Sequence, residues 1–302
     1  MKGLGRFFSR KCYLVSDALD DYTADFTLRG CRSEKSLRSE VATLKRHLTD
    51  VRVSEMTIAI LRRYQADRRE QGLAAATVNK QLAVLSAALN LAATNELIPA
   101  VPRFPRRLRA AAPRQGFLEV EDYQAIRREL PGWGKPVLDF GWYSGWRKGE
   151  VLGLMREEVH LDAKQIRLHP DRSKNSDTRV LPLMGFGLEA VMSGLASPGA
   201  NVFHRDDGRR ISSTFWHYTW TAAAKTAGRA KHFHDLRRTV VRRLELAGVP
   251  RKTAMAWVGH RTESIYLRYA IHHDRDLIPA AEKMLRQLEP KNSGNLLPFQ
   301  KG

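Results

Sequence analysis

The chain has 302 residues, enough for about two domains with separate cores. Fifty-one Lys and Arg against thirty-two Asp and Glu leave a formal net charge of +19, which favours a polyanionic partner: nucleic acid first, an acidic membrane surface second. No apolar run approaches the roughly 20 residues of a membrane span, no signal-peptide core follows the basic start MKGLGRFFSRK, and Cys12 and Cys31 are too few for a disulfide framework and lack zinc-ligand spacing. The expected setting is a reducing cytoplasm.

Residues 1–13 form a short basic arm, read as a solvated terminus. From Ser16, Leu19, Tyr22 and Phe26 recur at helical spacing until Arg29-Gly30. Ser33 can cap a second helix bearing Leu37, Val41, Leu44 and Leu48. Ser54 is expected to open a third, with Met56, Ile60, Leu61 and Tyr64 apolar and Gly72 at its end. Thr77 to Asn95 carries one stripe, Val78, Leu82, Leu85, Leu89 and Ala92, that reads as core packing. These helices make a small bundle over residues 14–98. Its polar faces carry Lys45, Arg46, Arg62, Arg63, Arg68, Arg69 and Lys80, which as a set suit phosphate contacts. Residues 99–116, with four prolines and five arginines, form an extended basic linker and the domain boundary. Arg62, Arg63, Lys80, Arg103, Arg106 and Arg107 are the DNA-binding candidates.

Residues 117–289 form the second domain. Helices are expected over Glu119–Leu130 and Pro136–Tyr143, two short strands over Gln165–His169 and Arg179–Leu183, and helices again over Gly187–Leu195 and Ser213–Ala227. SKNSDT between the strands supplies hairpin turn chemistry. The fold class is therefore mainly α with a small antiparallel β-sheet. Pro279–Leu288 reads as a helix that docks either on a neighbour or on its own domain, and 290–302 as a tail.

The stretch from Lys231 to Ala270 concentrates the chemistry. His234 and Arg237 lie three apart, so a helix points them the same way. A helix to Ala247 stops at Gly248, and a second runs from about Pro250 to Val258 and stops at Gly259, delivering His260. Tyr269 follows nine residues later, where Thr262 or Ser264 can start a further helix. Two imidazoles, a guanidinium and a phenol on consecutive helices can meet at one phosphate. Phosphodiester cleavage needs a nucleophile, donors for the nonbridging oxygens and a proton for the leaving oxygen. A phenol ordinarily ionises near pH ~10 and needs a base or neighbouring cations; arginine suits the oxygen clamp. No HExxH, Cys/His cluster or grouped carboxylates suggests a metal, and no cofactor is expected.

Over Ser16–Ala270 the chain resembles the tyrosine recombinases of the phage-integrase type. The resemblance rests on SGWRKGEVLGL with Arg147 and Glu150, SKNSDTRVLPL with Lys174, HDLRRT with His234 and Arg237, Gly259-His260, and Tyr269 nine residues on. Trp146 departs from the smaller aliphatic residue usual before the arginine, and no sizeable arm-type domain precedes Ser16. The resemblance implies an N-terminal helical core-binding bundle, a mixed catalytic domain and site-specific recombination of double-stranded DNA through a 3′-phosphotyrosyl bond, for integration or excision of a phage or mobile element. It assigns Tyr269 as nucleophile, Arg147, Arg237 and His260 to the phosphate oxygens, Lys174 to the leaving oxygen, His234 to proton transfer and Glu150 to orienting Arg147. A homo-tetramer on DNA, with accessory bending or directionality factors, is the implied assembly.

Alternatives stay open from sequence. Tyr266 shares a helix face with Tyr269 and competes as nucleophile. A type IB topoisomerase would use the same groups, a non-catalytic DNA-binding protein would explain the charge, and a membrane-surface protein draws only on Phe7 and Phe8 in the basic arm.

Overall fold

The computed structural model describes residues 13–31, 33–48, 50–111, 116–169 and 179–270, together with 281, 282 and 284. The chain divides into two units, Met1–Ala112 and Pro113–Gly302. No helix among the described residues is long and apolar enough to cross a membrane.

The first unit packs helices α1 (Val15–Leu28), α2 (Glu34–Leu48), α3 (Ile58–Glu70) and α4 (Ala75–Thr94). α4 is the hub: Val78, Leu82, Leu85, Ala88, Leu89 and Ala92 are all buried against stripes such as Leu37, Val41, Leu44 and Leu48 of α2. The third helix starts later than the sequence suggests. Ser54 lies in a 3-10 turn over Val53–Glu55, and Thr57 caps α3 by accepting from the Ile60 N–H at 3.4 Å.

Beyond α4 the Pro/Arg-rich segment, to the extent it is described, packs on its own unit. Gln65 Nε2 donates to Arg106 O at 3.2 Å, and the Asn79 side chain both donates to Leu108 O and accepts from Leu108 N. Val101, Phe104 and Leu108 lie against the helical core, which leaves Arg103, Arg106 and Arg107 exposed. Arg62 and Arg63 are exposed too. Several of the basic residues assigned to polar faces are otherwise engaged, and Lys45 pairs with Asp20 at 2.6 Å. Arg68 is buried and donates to Gln71, and the Lys80 ammonium is held by Ser36 Oγ and Glu40 at 2.8 and 2.9 Å.

The second unit contains α5 (Val120–Glu129), α6 (Gly134–Ser144), α7 (Lys148–Gly153), α8 (Gly185–Leu195), α9 (Ser213–Thr226), α10 (Asp235–Leu246), α11 (Arg251–Val258) and α12 (Glu263–Leu267). A three-stranded antiparallel sheet runs in the order β1 (Val159–His160), β2 (Gln165–Leu168), β3 (Arg179–Pro182). Leu168 pairs with Arg179, and Gln165 with His160 and Pro182. β1 is too short to show a period-2 pattern and was not expected.

Phe140 and Val137 of α6 stand at the centre of the core, with Trp146, Phe203, Trp216 and Leu236 around them. A second cluster, Val240, Val241, Ala254, Val258 and Tyr266, ties α10, α11 and α12 together beneath Tyr269. Those helices are kept short by left-handed glycines at 248 and 259, with φ of 71° and 72°. Pro279–Leu288 falls almost wholly outside the described residues, as does the 290–302 tail.

Truncating Leu85, fully buried in α4, to alanine should cost about 2–5 kcal/mol of the first unit's stability. Leu28→Ala, at a position 86% exposed, should change it by less than about 0.5 kcal/mol. Denaturant unfolding followed by circular dichroism measures both, and equal costs would contradict the assignment of α4 as the hub.

Candidate active site

The site begins where α6 ends. Gly145 is left-handed (φ 61°), and a Cβ built there would stand 2.8 Å from Val240 Cβ, so the turn requires glycine. The turn aims the Gly145 carbonyl at α10 and leaves Arg147 as the extended residue that caps the start of α7. The Arg147 backbone N–H donates to Glu150 Oε2 and its Nη1 to Oε1, both at 2.9 Å. The Arg-x-x-Glu spacing thus closes across the first turn of α7. Glu150 is only 5% exposed, and its Oε2 also accepts from Arg179 Nη2 at 2.8 Å.

α10 supplies the second guanidinium. Arg237 is 1% exposed; its Nη1 donates to Gly145 O at 3.0 Å and its Nε to His260 Nε2 at 2.9 Å. The Gly259 carbonyl, at the left-handed end of α11, accepts from Arg147 Nη2 at 3.3 Å and from Arg237 Nη2 at 3.4 Å. One carbonyl therefore spaces the two guanidiniums.

Tyr269 lies over this floor. Its hydroxyl is 3.0 Å from His234 Nε2, its ring stands 4.7 Å from that of His260, and the guanidinium carbons of Arg238 and Arg237 are 5.5 and 5.7 Å from its centroid. Tyr266 is fully buried, its phenol facing Glu245; burial and that carboxylate raise its pKa and keep it protonated. Tyr123 donates to Asp139 and Tyr143 to Pro182 O, away from the cluster.

The structure thus brings together Arg147, Glu150, His234, Arg237, His260 and Tyr269. Lys174 lies outside the described residues, as does His272-His273-Asp274. Among the described residues no group of three or more His, Cys, Asp or Glu is placed to hold a metal. Sequence reasoning passed over two arginines. Arg238 donates to Asp235 at 2.9 Å beneath the Tyr269 ring. Arg179, 8% exposed, joins Glu150 to the Val258 carbonyl. Strand alternation gave a signal for Arg179: it shares the inward face of β3 with Leu181, where a charge needs a partner.

Electrostatics here follow from crowded cations in a partly dry site. Burial, then Arg147, lowers the Arg237 pKa to about 9, so it remains charged at neutral pH. Burial alone would raise the Glu150 carboxyl, but Arg179 and then Arg147 outweigh it and hold it below the usual carboxylate range. Burial and the charges of Arg237 and Arg238 lower His234. Burial, then Arg237 and Arg147, pushes His260 down to about 3. Because His260 Nε2 accepts from Arg237, the neutral ring carries its proton on Nδ1, which is buried and finds no partner among the described residues.

A profile of the phage integrase family matches residues 117–275. No curated protein sequence matches the chain. Among solved structures, a lambda integrase dimer bound to a COC′ core site has a TM-score of 0.72 at 18% identity, over 88% of this chain and 79% of that one. A lambda integrase tetramer bound to a Holliday junction also gives 0.72 at 18%, over 88% and 81%. The Tn1549 transposon integrase in complex with circular intermediate DNA gives 0.70 at 15%, over 90% of this chain and 99% of that one. What these structures share with the chain is its mainly helical fold with a small antiparallel sheet.

The depressed His260 pKa has a definite sign. Between about 3 and 6.5 the unfolded chain binds a proton there that the folded protein does not. Stability from the neutral ring is complete above pH 6.5 and declines as pH falls toward 3. Histidine 15N NMR of the free protein should show His260 neutral, protonated on Nδ1, from pH 8 to about 5. A His260 titration near 6.5 would contradict the geometry.

Proposed function

Because the chain belongs to the phage integrase family, and is therefore a DNA strand-breaking and rejoining tyrosine recombinase, we propose that Tyr269 is its nucleophile and that the reaction passes through a 3′-phosphotyrosyl intermediate. The observation that carries this reading is the 3.0 Å approach of the Tyr269 hydroxyl to a neutral-leaning His234, with Arg147, Arg237 and His260 gathered below.

The step balances without a cofactor. The Tyr269 oxygen forms a bond to phosphorus, the bond from phosphorus to the 5′-oxygen breaks, and the phenolic proton passes to His234 Nε2. Arg147 and Arg237 hold the nonbridging oxygens, and their fixed charge favours the transition state more than the ground state. His260 adds a donor only by releasing Arg237 and carrying its proton on Nε2, Lys174 protonates the leaving 5′-oxygen, and Glu150 orients Arg147. The phosphotyrosyl bond keeps the energy of the broken diester, so a 5′-hydroxyl reverses the step without ATP.

Arg62, Arg63, Arg103, Arg106 and Arg107 are exposed and supply phosphate contacts that position the duplex. Lys80 joins them only by leaving Glu40. The biological task is integration or excision of a phage or mobile element, carried out by a homo-tetramer. The lambda integrase tetramer on a Holliday junction supports that assembly by fold likeness.

A nicked suicide duplex carrying the recombination site tests the chemistry. Wild-type protein should form a covalent adduct and Tyr269→Phe none, while Tyr266→Phe retains it wherever it folds. Arg147→Ala and Arg237→Ala should each slow adduct formation about 10²–10³-fold. An adduct in Tyr269→Phe, resolved on a denaturing gel, would overturn the assignment.

A further inference from the structure

Arg179 has no part in the proposed phosphoryl transfer, yet this side chain touches more of the site's scaffold than its position on β3 requires. Its Nη2 donates to Glu150 Oε2 at 2.8 Å and its Nη1 to Val258 O at 2.9 Å. Its guanidinium carbon lies 4.2 Å from the centroid of the Trp146 ring, one residue before Arg147. A Cβ on Gly259 would collide with its Nη1, so that glycine serves the arginine's space as well as its own left-handed backbone. One buried cation therefore links the strand after the Lys174 segment, the carboxylate that holds Arg147, and the helix end that presents the Gly259 carbonyl and His260.

Charge decides what this linkage does. A buried carboxylate draws the nearest cation onto itself. With Arg147 as the only partner of Glu150, the pair would be neutral and Arg147 would be spent on Glu150. With Arg179 on Oε2, the trio keeps one net positive charge, and Arg147 gives Glu150 a single side-chain hydrogen bond through Nη1. Nη2 gives one N–H to the Gly259 carbonyl, and the guanidinium N–H groups beyond those two remain for a phosphate. We infer that Arg179 is a positioning residue: it neutralises Glu150 so that Arg147 keeps its charge and donors for the scissile phosphate. The inference rests on the proposed phosphotyrosyl reaction, and it differs from a role in packing alone because it ties Arg179 to the charge of Glu150.

That difference sets the experiment. Adduct formation on the suicide duplex is timed at saturating DNA, with DNA affinity measured separately, for the wild type, R179M, R179K and R179M/E150Q. R179M should be about 100-fold slower with affinity unchanged within about threefold, since the loss falls on the chemical step. R179K, which keeps the charge, should recover most of the rate. R179M/E150Q, which removes the uncompensated carboxylate, should be about tenfold faster than R179M. Thermal unfolding checks that each variant folds; where R179M does not, R179Q fills the space and the same outcomes decide. R179M reacting at the wild-type rate, or R179M/E150Q no faster than R179M, overturns the inference while leaving the Tyr269 reading intact. A wild-type protein without an adduct overturns both.

Discussion

A buried carboxylate is the constraint on which the site depends. Glu150 is nearly out of water, and an unpaired carboxylate there would cost several kcal/mol. It is tolerated because Arg147 and Arg179 approach from different elements, one at the start of α7 and one at the start of β3. Their requirement for each other locks those elements together. Arg179 extends the lock to the end of α11, and the Gly259 carbonyl carries it on to Arg237 of α10. The two guanidiniums that face the phosphate in the proposed reaction are thus held by hydrogen bonds before any DNA arrives. Such fixed cations need no reorganisation when charge develops on a phosphate.

The same crowding sets the state of the imidazoles. A histidine surrounded by arginines and partly removed from water resists protonation, so His234 and His260 stay neutral where free histidine would begin to charge. A neutral His234 can accept a proton from the Tyr269 hydroxyl beside it. His260 is fixed as an acceptor toward Arg237 through Nε2. The left-handed glycines at 145 and 259 are the backbone counterpart: each lets the chain turn sharply enough to present a carbonyl to a guanidinium.

Much of this was legible in the sequence, for physical reasons. The stripes of α2 and α4 follow the helical period, so their core faces could be read directly. Local spacing also carried the His234–Arg237 face, because residues three apart on a helix are neighbours, whereas the Arg147–Glu150 pair came from the resemblance of SGWRKGEVLGL. What sequence could not show were contacts between elements. Arg179 stands 29 residues from Glu150, and nothing in RVLPL named its partner. Arg68 lay among arginines on a polar helix, and only packing revealed that it is buried. Thr57 displaced Ser54 as the α3 cap because the chain first makes a 3-10 turn, a choice local propensity does not settle. Tyr266 and Tyr269 are near neighbours in sequence, but the core beneath α12 takes one and leaves the other beside His234.

The central claim is that a phenol oxygen at position 269 becomes bonded to a DNA phosphorus because neutral imidazole and fixed guanidinium groups surround it. The most direct measurement is tandem mass spectrometry of the protease-digested covalent complex formed on cleaved DNA. The account predicts a nucleotide attached through its 3′-phosphate to Tyr269. A nucleotide on Tyr266 or any other side chain, or one joined through a 5′-phosphate, would contradict it.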